Sequence, residues 1–210
     1  MDFHTWLLYT TVAFVAILSP GPAVLLAINN SITHDMKAVA FSTLGNVLGL
    51  FVLSSAAMLG LGVLLNTSII LFTSLKIIGA VYLIYIGVKQ FRNIANIFNT
   101  VNLNAKKSST HYIAIFKKGF LICITNPKPI IFFTALFPLF LKPEAPLVAQ
   151  FFILTLTFMV LSFSTLMSYA FFARSLKSWF LTNNRATWFN RISGAIFVAL
   201  GLGLLGMERK

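Results

Sequence analysis

Acidic residues are nearly missing from this chain. Among its 210 residues there are four, Asp2, Asp35, Glu144 and Glu208, against sixteen Lys and Arg. All four fall at or beyond the ends of the long apolar runs. A membrane enzyme of the rhomboid or metalloprotease kind needs His or carboxylates inside its bundle. Here His4, His34 and His111 are also expected outside the helices, and neither H-E-x-x-H nor G-x-S-x-G occurs. The lone Cys123 excludes internal disulfides, and one thiol cannot build a soft-metal cage; it reads as a small packing residue. The sequence therefore predicts no enzyme, no cofactor and no metal site. Charged residues of both signs are scarce too, at 10% against roughly 25% in a soluble domain.

What fills the space is apolar. Hydrophobic residues make up 58% of the chain, with 22 Phe and a mean hydropathy of +0.89. A bilayer core of about 30 Å takes about 20 apolar residues to cross. Six runs qualify, at roughly 6–28, 40–64, 68–88, 113–140 (interrupted), 148–172 and 188–207. The prediction is a single all-α transmembrane domain over 1–210. A tight reversal is expected at Asn66-Thr67-Ser68, and a polar loop at about 90–112. No small-residue cleavage site follows the first run, so that segment is expected to remain in the mature protein.

Basic residues set the orientation. The loops after the first, third and fifth segments hold Lys37, Lys89, Arg92, Lys106, Lys107, Lys117, Lys118, Arg174, Lys177, Arg185 and Arg191; the other side holds Lys142, Arg209 and Lys210. The positive-inside rule puts the crowded side in the cytoplasm and both termini outside. The net charge of +12 is then a matter of orientation and attraction to anionic lipid. Binding to nucleic acid would need those charges on a folded soluble surface, and none is predicted.

The first run is interrupted by Ser19-Pro20-Gly21-Pro22. Each Pro removes a backbone donor and clashes with the preceding turn, and Gly loosens the backbone further, so the helix must break. In a bilayer such a break is tolerated only where the freed backbone groups face protein or a watery cavity. The fourth run carries a counterpart, Asn126-Pro127-Lys128-Pro129. A second internal match pairs Lys76-Ile77-Ile78-Gly79-Ala80-Val81-Tyr82-Leu83 with Arg191-Ile192-Ser193-Gly194-Ala195-Ile196-Phe197-Val198. Together these predict halves of three helices each, about 4–92 and 111–206. Three being odd, the halves enter the membrane from opposite sides. This is the inverted 3+3 repeat of secondary transporters, whose Pro-broken helices 1 and 4 meet at a midplane substrate site.

Within that frame Ser19, Pro20, Gly21, Pro22, Asn46, Asn126, Pro127 and Lys128 are the candidate substrate-binding residues. A cation deep in the bilayer is costly, so Lys128 is read as holding an anionic group such as a carboxylate, with snorkelling as the competing explanation. Asn46 and Asn126 offer donors and acceptors that suit a zwitterion. Lys76 and Asp35 are candidates for gating or coupling; Lys76 reads equally as a snorkelling lysine, and Asp35 as a solvated loop residue. Gly45 and Gly49 are spaced for helix packing, and Gly60, Gly62, Gly201, Gly203 and Gly206 are assigned to packing as well. Ser162, Ser164 and Ser168 read either as lining a polar path or as bonding between helices, with the second favoured.

These residues bring a known family into view. Ser19-Pro20-Gly21-Pro22, Gly45 and Gly49, the stretch from Lys76 to Leu83 with Gly87, Gly119 followed by Asn126-Pro127-Lys128, and Arg191 to Gly194 with Gly201 resemble, in order and spacing, the lysine exporter (LysE/RhtB) family of amino-acid efflux proteins. The resemblance runs along nearly the whole chain and is nearer to the homoserine/threonine branch. It implies an inner-membrane, oligomeric exporter of an amino acid or derivative, driven by the proton-motive force. Some members place an acidic residue in the second segment near Gly45-Asn46, where this chain has Asn46. The alternative reading is an ion or heavy-metal exporter on the same scaffold.

Overall fold

In a computed structural model of the chain, residues 1–64, 69–92, 111–142, 144–173 and 185–206 are described. The predicted Asn66-Thr67-Ser68 turn, residues 93–110 of the predicted polar loop, and Lys106, Lys107, Arg174, Lys177, Glu208, Arg209 and Lys210 lie outside them. Among the described residues the regular elements are all helices: α1 (Phe3–Leu18), α2 (Pro22–Thr33), α3 (Met36–Leu64), α4 (Ile69–Arg92), α5 (Tyr112–Thr125), α6 (Pro127–Ile131), α7 (Leu147–Phe171) and α8 (Arg185–Leu205).

Both predicted breaks are present. The chain bends by 56° between α1 and α2 and by 52° between α5 and the helical run that follows it. Pro22 begins α2 and Pro127 begins α6, the position where a missing N–H costs nothing. Gly21 has extended backbone, φ −160° and ψ −170°, open to any residue; its use is spatial, since a Cβ there would meet nothing within 4 Å. After α6 the chain winds through a π turn (Phe132–Leu136) and a 3-10 turn (Phe137–Phe140). Pro138, which cannot donate to the carbonyl one turn back, lies in the first turn of that 3-10 segment.

Two straight stretches are long and apolar enough to cross a membrane, Met36–Gly60 and Leu147–Phe171, and each bent pair also suffices when taken as one span. With α4 and α8 these elements occupy the six segments read from the sequence. Many large apolar side chains among the described residues face outward, Phe3, Leu59, Ile113, Val160 and Phe171 included. Such a surface suits lipid rather than water.

Small residues set which helices touch. A Cβ on Gly45 would lie 2.0 Å from the Phe116 carbonyl oxygen, one on Gly119 2.0 Å from that of Ser42, and one on Gly49 2.7 Å from Cβ of Cys123. α3 and α5 therefore run parallel with their backbones in contact, and buried Cys123 packs as expected. Gly87 and Gly194 meet likewise, as do Gly201 and the Ala80 carbonyl, so α4 and α8 run antiparallel. α1 and α7 are parallel, tied by Trp6 Nε1 donating to Thr157 Oγ1 and Tyr169 Oη donating to the Leu18 carbonyl. An aromatic cluster of Tyr9, Phe132, Phe133, Phe137, Phe140, Phe151 and Phe158 joins the two halves of the chain.

Three expectations need correction. Gly60 and Gly203 have nothing near them and Gly206 has only ordinary contact, whereas Gly201 is demanded by packing, because a glycine in an apolar helix says nothing about which face it lies on; the surroundings of Gly62 lie outside those described. Ser168 bonds back to Ser164 of its own helix, not across helices. His4 lies in the first turn of α1, because the Asp2 side chain accepts from Thr5 N–H and starts the helix at Phe3. Gly45→Ala and Gly119→Ala, which drive a methyl into a backbone oxygen, are expected to lower stability by about 1–3 kcal/mol or more. Gly60→Ala, free of such a collision, is expected to raise it by up to about 1 kcal/mol through helix propensity; thermal unfolding in detergent ranks the three.

Candidate functional site

A break inside an apolar bundle strands backbone carbonyls. Pro22 has no N–H for the Leu18 carbonyl, and the turn ends before Ser19 can pair with Ala23. Both oxygens are taken up by side chains from the other half of the chain. Tyr169 Oη of α7 donates to Leu18 O at 2.7 Å, and Lys128 Nζ of α6 donates to Ser19 O at 2.7 Å. The Ser19 side chain accepts from Gln90 Nε2 of α4 at 2.7 Å. At the second break the Asn126 side chain accepts from Lys128 N–H, capping α6 as Asn does at helix starts.

These bonds frame a pocket of about 510 Å³ of empty space, counting its open mouth. Ser19 and Gly21 line it from the first break, Asn126 and Lys128 from the second, and Asn46 from α3. Asn46 is buried and its Nδ2 donates to Ser162 Oγ of α7 at 3.2 Å. The rest of the wall is mainly apolar, including Leu50, Phe132, Phe158 and Leu166. Of the eight predicted binding residues, five therefore share one cavity. Pro20, Pro22 and Pro127 shape the breaks without lining it.

Lys76 and Asp35 do not join them. Lys76 Nζ donates to the Leu205 carbonyl at the end of α8, as a snorkelling lysine near a helix C-terminus does. Asp35 Oδ1 accepts from Ala38 N–H, and its Oδ2 from Tyr112 Oη at 3.2 Å, while Lys37 lies over the Tyr112 ring. Asp35 thus ties the α2–α3 turn to the start of α5. The Ala38 N–H leads the interactions that hold its carboxyl below the usual carboxylate range, with the Tyr112 hydroxyl and the charges of Lys37 and His34 adding to it against burial. What it contributes to that turn is therefore present at neutral pH and lost only as acid protonates it below that range. At the opposite end Lys142 pairs with Asp2 and holds its carboxyl well below the ordinary value.

Of the three serines read as lining a polar path or bonding between helices, Ser162 does both; sequence reading missed the partners of the first break, Tyr169 and Gln90. A serine within an apolar helix signals something, but its helix face is invisible before the partner is known. Among the described residues no group of three or more His, Cys, Asp or Glu is placed to hold a metal.

The two breaks, tied by the Lys128–Ser19 hydrogen bond beside a shared pocket, carry the same motif residues that the family resemblance rests on, and residues 14–208 match the LysE type translocator family. The chain belongs to that family. It is a transmembrane member, similar at 31% identity over 96% of both chains to the homoserine/homoserine lactone efflux protein of Salmonella typhi, and at 30% over 96% of both to that of Salmonella typhimurium. It is also 30% identical to an uncharacterized membrane protein of Vibrio cholerae over 96% of this chain and 97% of the other. No solved structure matches it.

The Tyr169 hydroxyl gives a clean test of the cross-satisfied break. Tyr169→Phe keeps the ring and leaves the Leu18 carbonyl unpaired, and should lower stability by about 1–3 kcal/mol, read as a fall in the melting temperature of the purified protein.

Proposed function

We propose that this protein exports an amino acid or amino-acid derivative across the inner membrane as a secondary transporter. The observation that carries the reading is the pocket itself, in which one half-buried ammonium and several neutral polar groups converge where the two breaks meet. The relatives named for homoserine and homoserine lactone efflux support it. Lys128, already held by one neutral carbonyl, has donors left for a substrate carboxylate, and the free N–H groups at the start of α2 favour the same charge. Asn46 and Asn126 take the substrate's ammonium or side chain.

The architecture proposed is six crossings in two inverted halves, about 4–92 and 111–206, that rock about the pocket to alternate its access. The directions of the helix pairs support this. Exchanging the halves turns the parallel α1–α7 pair into the parallel α5–α3 pair and leaves the antiparallel α4–α8 pair in place. Lys37 meets Tyr112 at one end, whereas Asp2 meets Lys142 at the other. With the basic residues of the loops, that supports a cytoplasmic first end and both termini outside.

An ion or heavy-metal cargo is the competing reading. The residues lining the pocket include no carboxylate, imidazole or thiol, the groups such cations take as ligands, and Lys128 would repel the ion. Everted vesicles from overproducing cells should accumulate radiolabelled amino acids and not metal ions. Lys128→Ala should abolish that uptake with insertion intact. Gly21→Val, whose side chain would enter open space, should fold normally and transport poorly. Metal uptake alone overturns the reading, and full transport by Lys128→Ala removes that lysine from it.

A further inference from the structure

A serine or threonine hydroxyl in an apolar helix ordinarily donates to a carbonyl of its own helix one turn back. Thr10, Ser31, Ser42 and Ser168 all do so here. Ser19 does not. It ends α1 with extended backbone, φ −62° and ψ 120°, and its hydroxyl accepts from Nε2 of Gln90, on α4, at 2.7 Å. Among the described residues the hydroxyl's own hydrogen has no acceptor. Ser19 is 5% exposed and lines the pocket, so the pocket wall holds a donor in reserve.

Gln90 itself is not among the residues lining the pocket. Its Oε1 is buried and has no hydrogen-bond partner among the described residues, which costs free energy. An apolar side chain at that position would carry no such cost, so what the amide contributes is the bond from Nε2. A hydroxyl left to itself can donate or accept. With Gln90 donating to one of its lone pairs, the Ser19 hydroxyl has its hydrogen turned away from Gln90 and free for an acceptor that enters the pocket. Lys128 Nζ holds the carbonyl of the same Ser19 at 2.7 Å, so an ammonium and an aimed O–H stand at neighbouring points of one wall. A carboxylate has two oxygens to offer them.

We propose that Gln90 is a positioning residue of the transporter: it commits the Ser19 hydroxyl to donation, so that one oxygen of the substrate carboxylate meets Ser19 while the other meets Lys128. The inference rests on the amino-acid export reading and adds to it a donor and the residue that aims it. A donor fixed before the anion arrives needs no reorganisation when it binds, and hydrogen bonds to a charged acceptor are the stronger kind. Gln90 acts on the substrate only through Ser19.

Uptake of radiolabelled homoserine into everted vesicles tests this. Ser19→Ala should raise KM about tenfold or more, the worth of one hydrogen bond to a charged group. Gln90→Met, which keeps the length of the side chain and loses the donor, should raise KM about threefold to tenfold, the range of one neutral hydrogen bond, with kcat little changed. Gln90→Glu separates aiming from mere attachment, because its carboxylate accepts from Ser19 and so keeps a bond between α1 and α4 while reversing its direction. Its KM should rise at least as far as that of Gln90→Met, and the rise should shrink in the Ser19→Ala background, where no hydroxyl is left to turn. The KM of the unaltered protein in either Gln90 variant, or a rise in Gln90→Glu that persists in full without Ser19, overturns the positioning role while Lys128-dependent uptake stands. Failure of the unaltered protein to accumulate any amino acid overturns the export reading instead.

Discussion

Everything near the pocket depends on how the first helix break is made tolerable. Breaking α1 from α2 leaves the Leu18 and Ser19 carbonyls without helical donors, and in hydrocarbon such groups cost several kcal/mol each. The solution is to borrow donors from the other half of the chain: Tyr169 for Leu18 and Lys128 for Ser19. The bonds that make the break possible are therefore also bonds between the halves. A lysine that would be expensive at this depth by itself is retained because it answers an acceptor that would be expensive too.

Around this centre the packing divides into tight and loose regions. α3 against α5 and α4 against α8 touch through backbone, with glycines that no side chain could replace without displacement. At the first break, in contrast, a Cβ on Gly21 would meet nothing within 4 Å.

The electrostatics follow from scarcity. With the described carboxylates confined to Asp2, Asp35 and Glu144, near helix ends, the pocket holds a cation and no anion, which favours a ligand that brings its own negative group. The same scarcity leaves Asp35 to work as a tie between α2, α3 and α5 through Ala38 and Tyr112. Lys76, by contrast, escapes the apolar interior by reaching the end of α8.

Much of this was legible without coordinates. Long apolar runs and near-absence of charge determine an all-helical membrane protein, because a backbone in lipid has to satisfy itself locally. Pro20, Pro22, Pro127 and Pro129 determine where two helices must break, since a proline cannot donate whatever surrounds it. Gly45 and Gly49 announce a close approach by their spacing. The sequence could not say which partner each freed carbonyl would find, that Gly60 faces open space while Gly201 is wedged against α4, that Ser162 rather than Ser168 reaches across, or that Gln90 meets Ser19. Those facts depend on which faces meet, and a helix face acquires meaning only when another helix is laid against it.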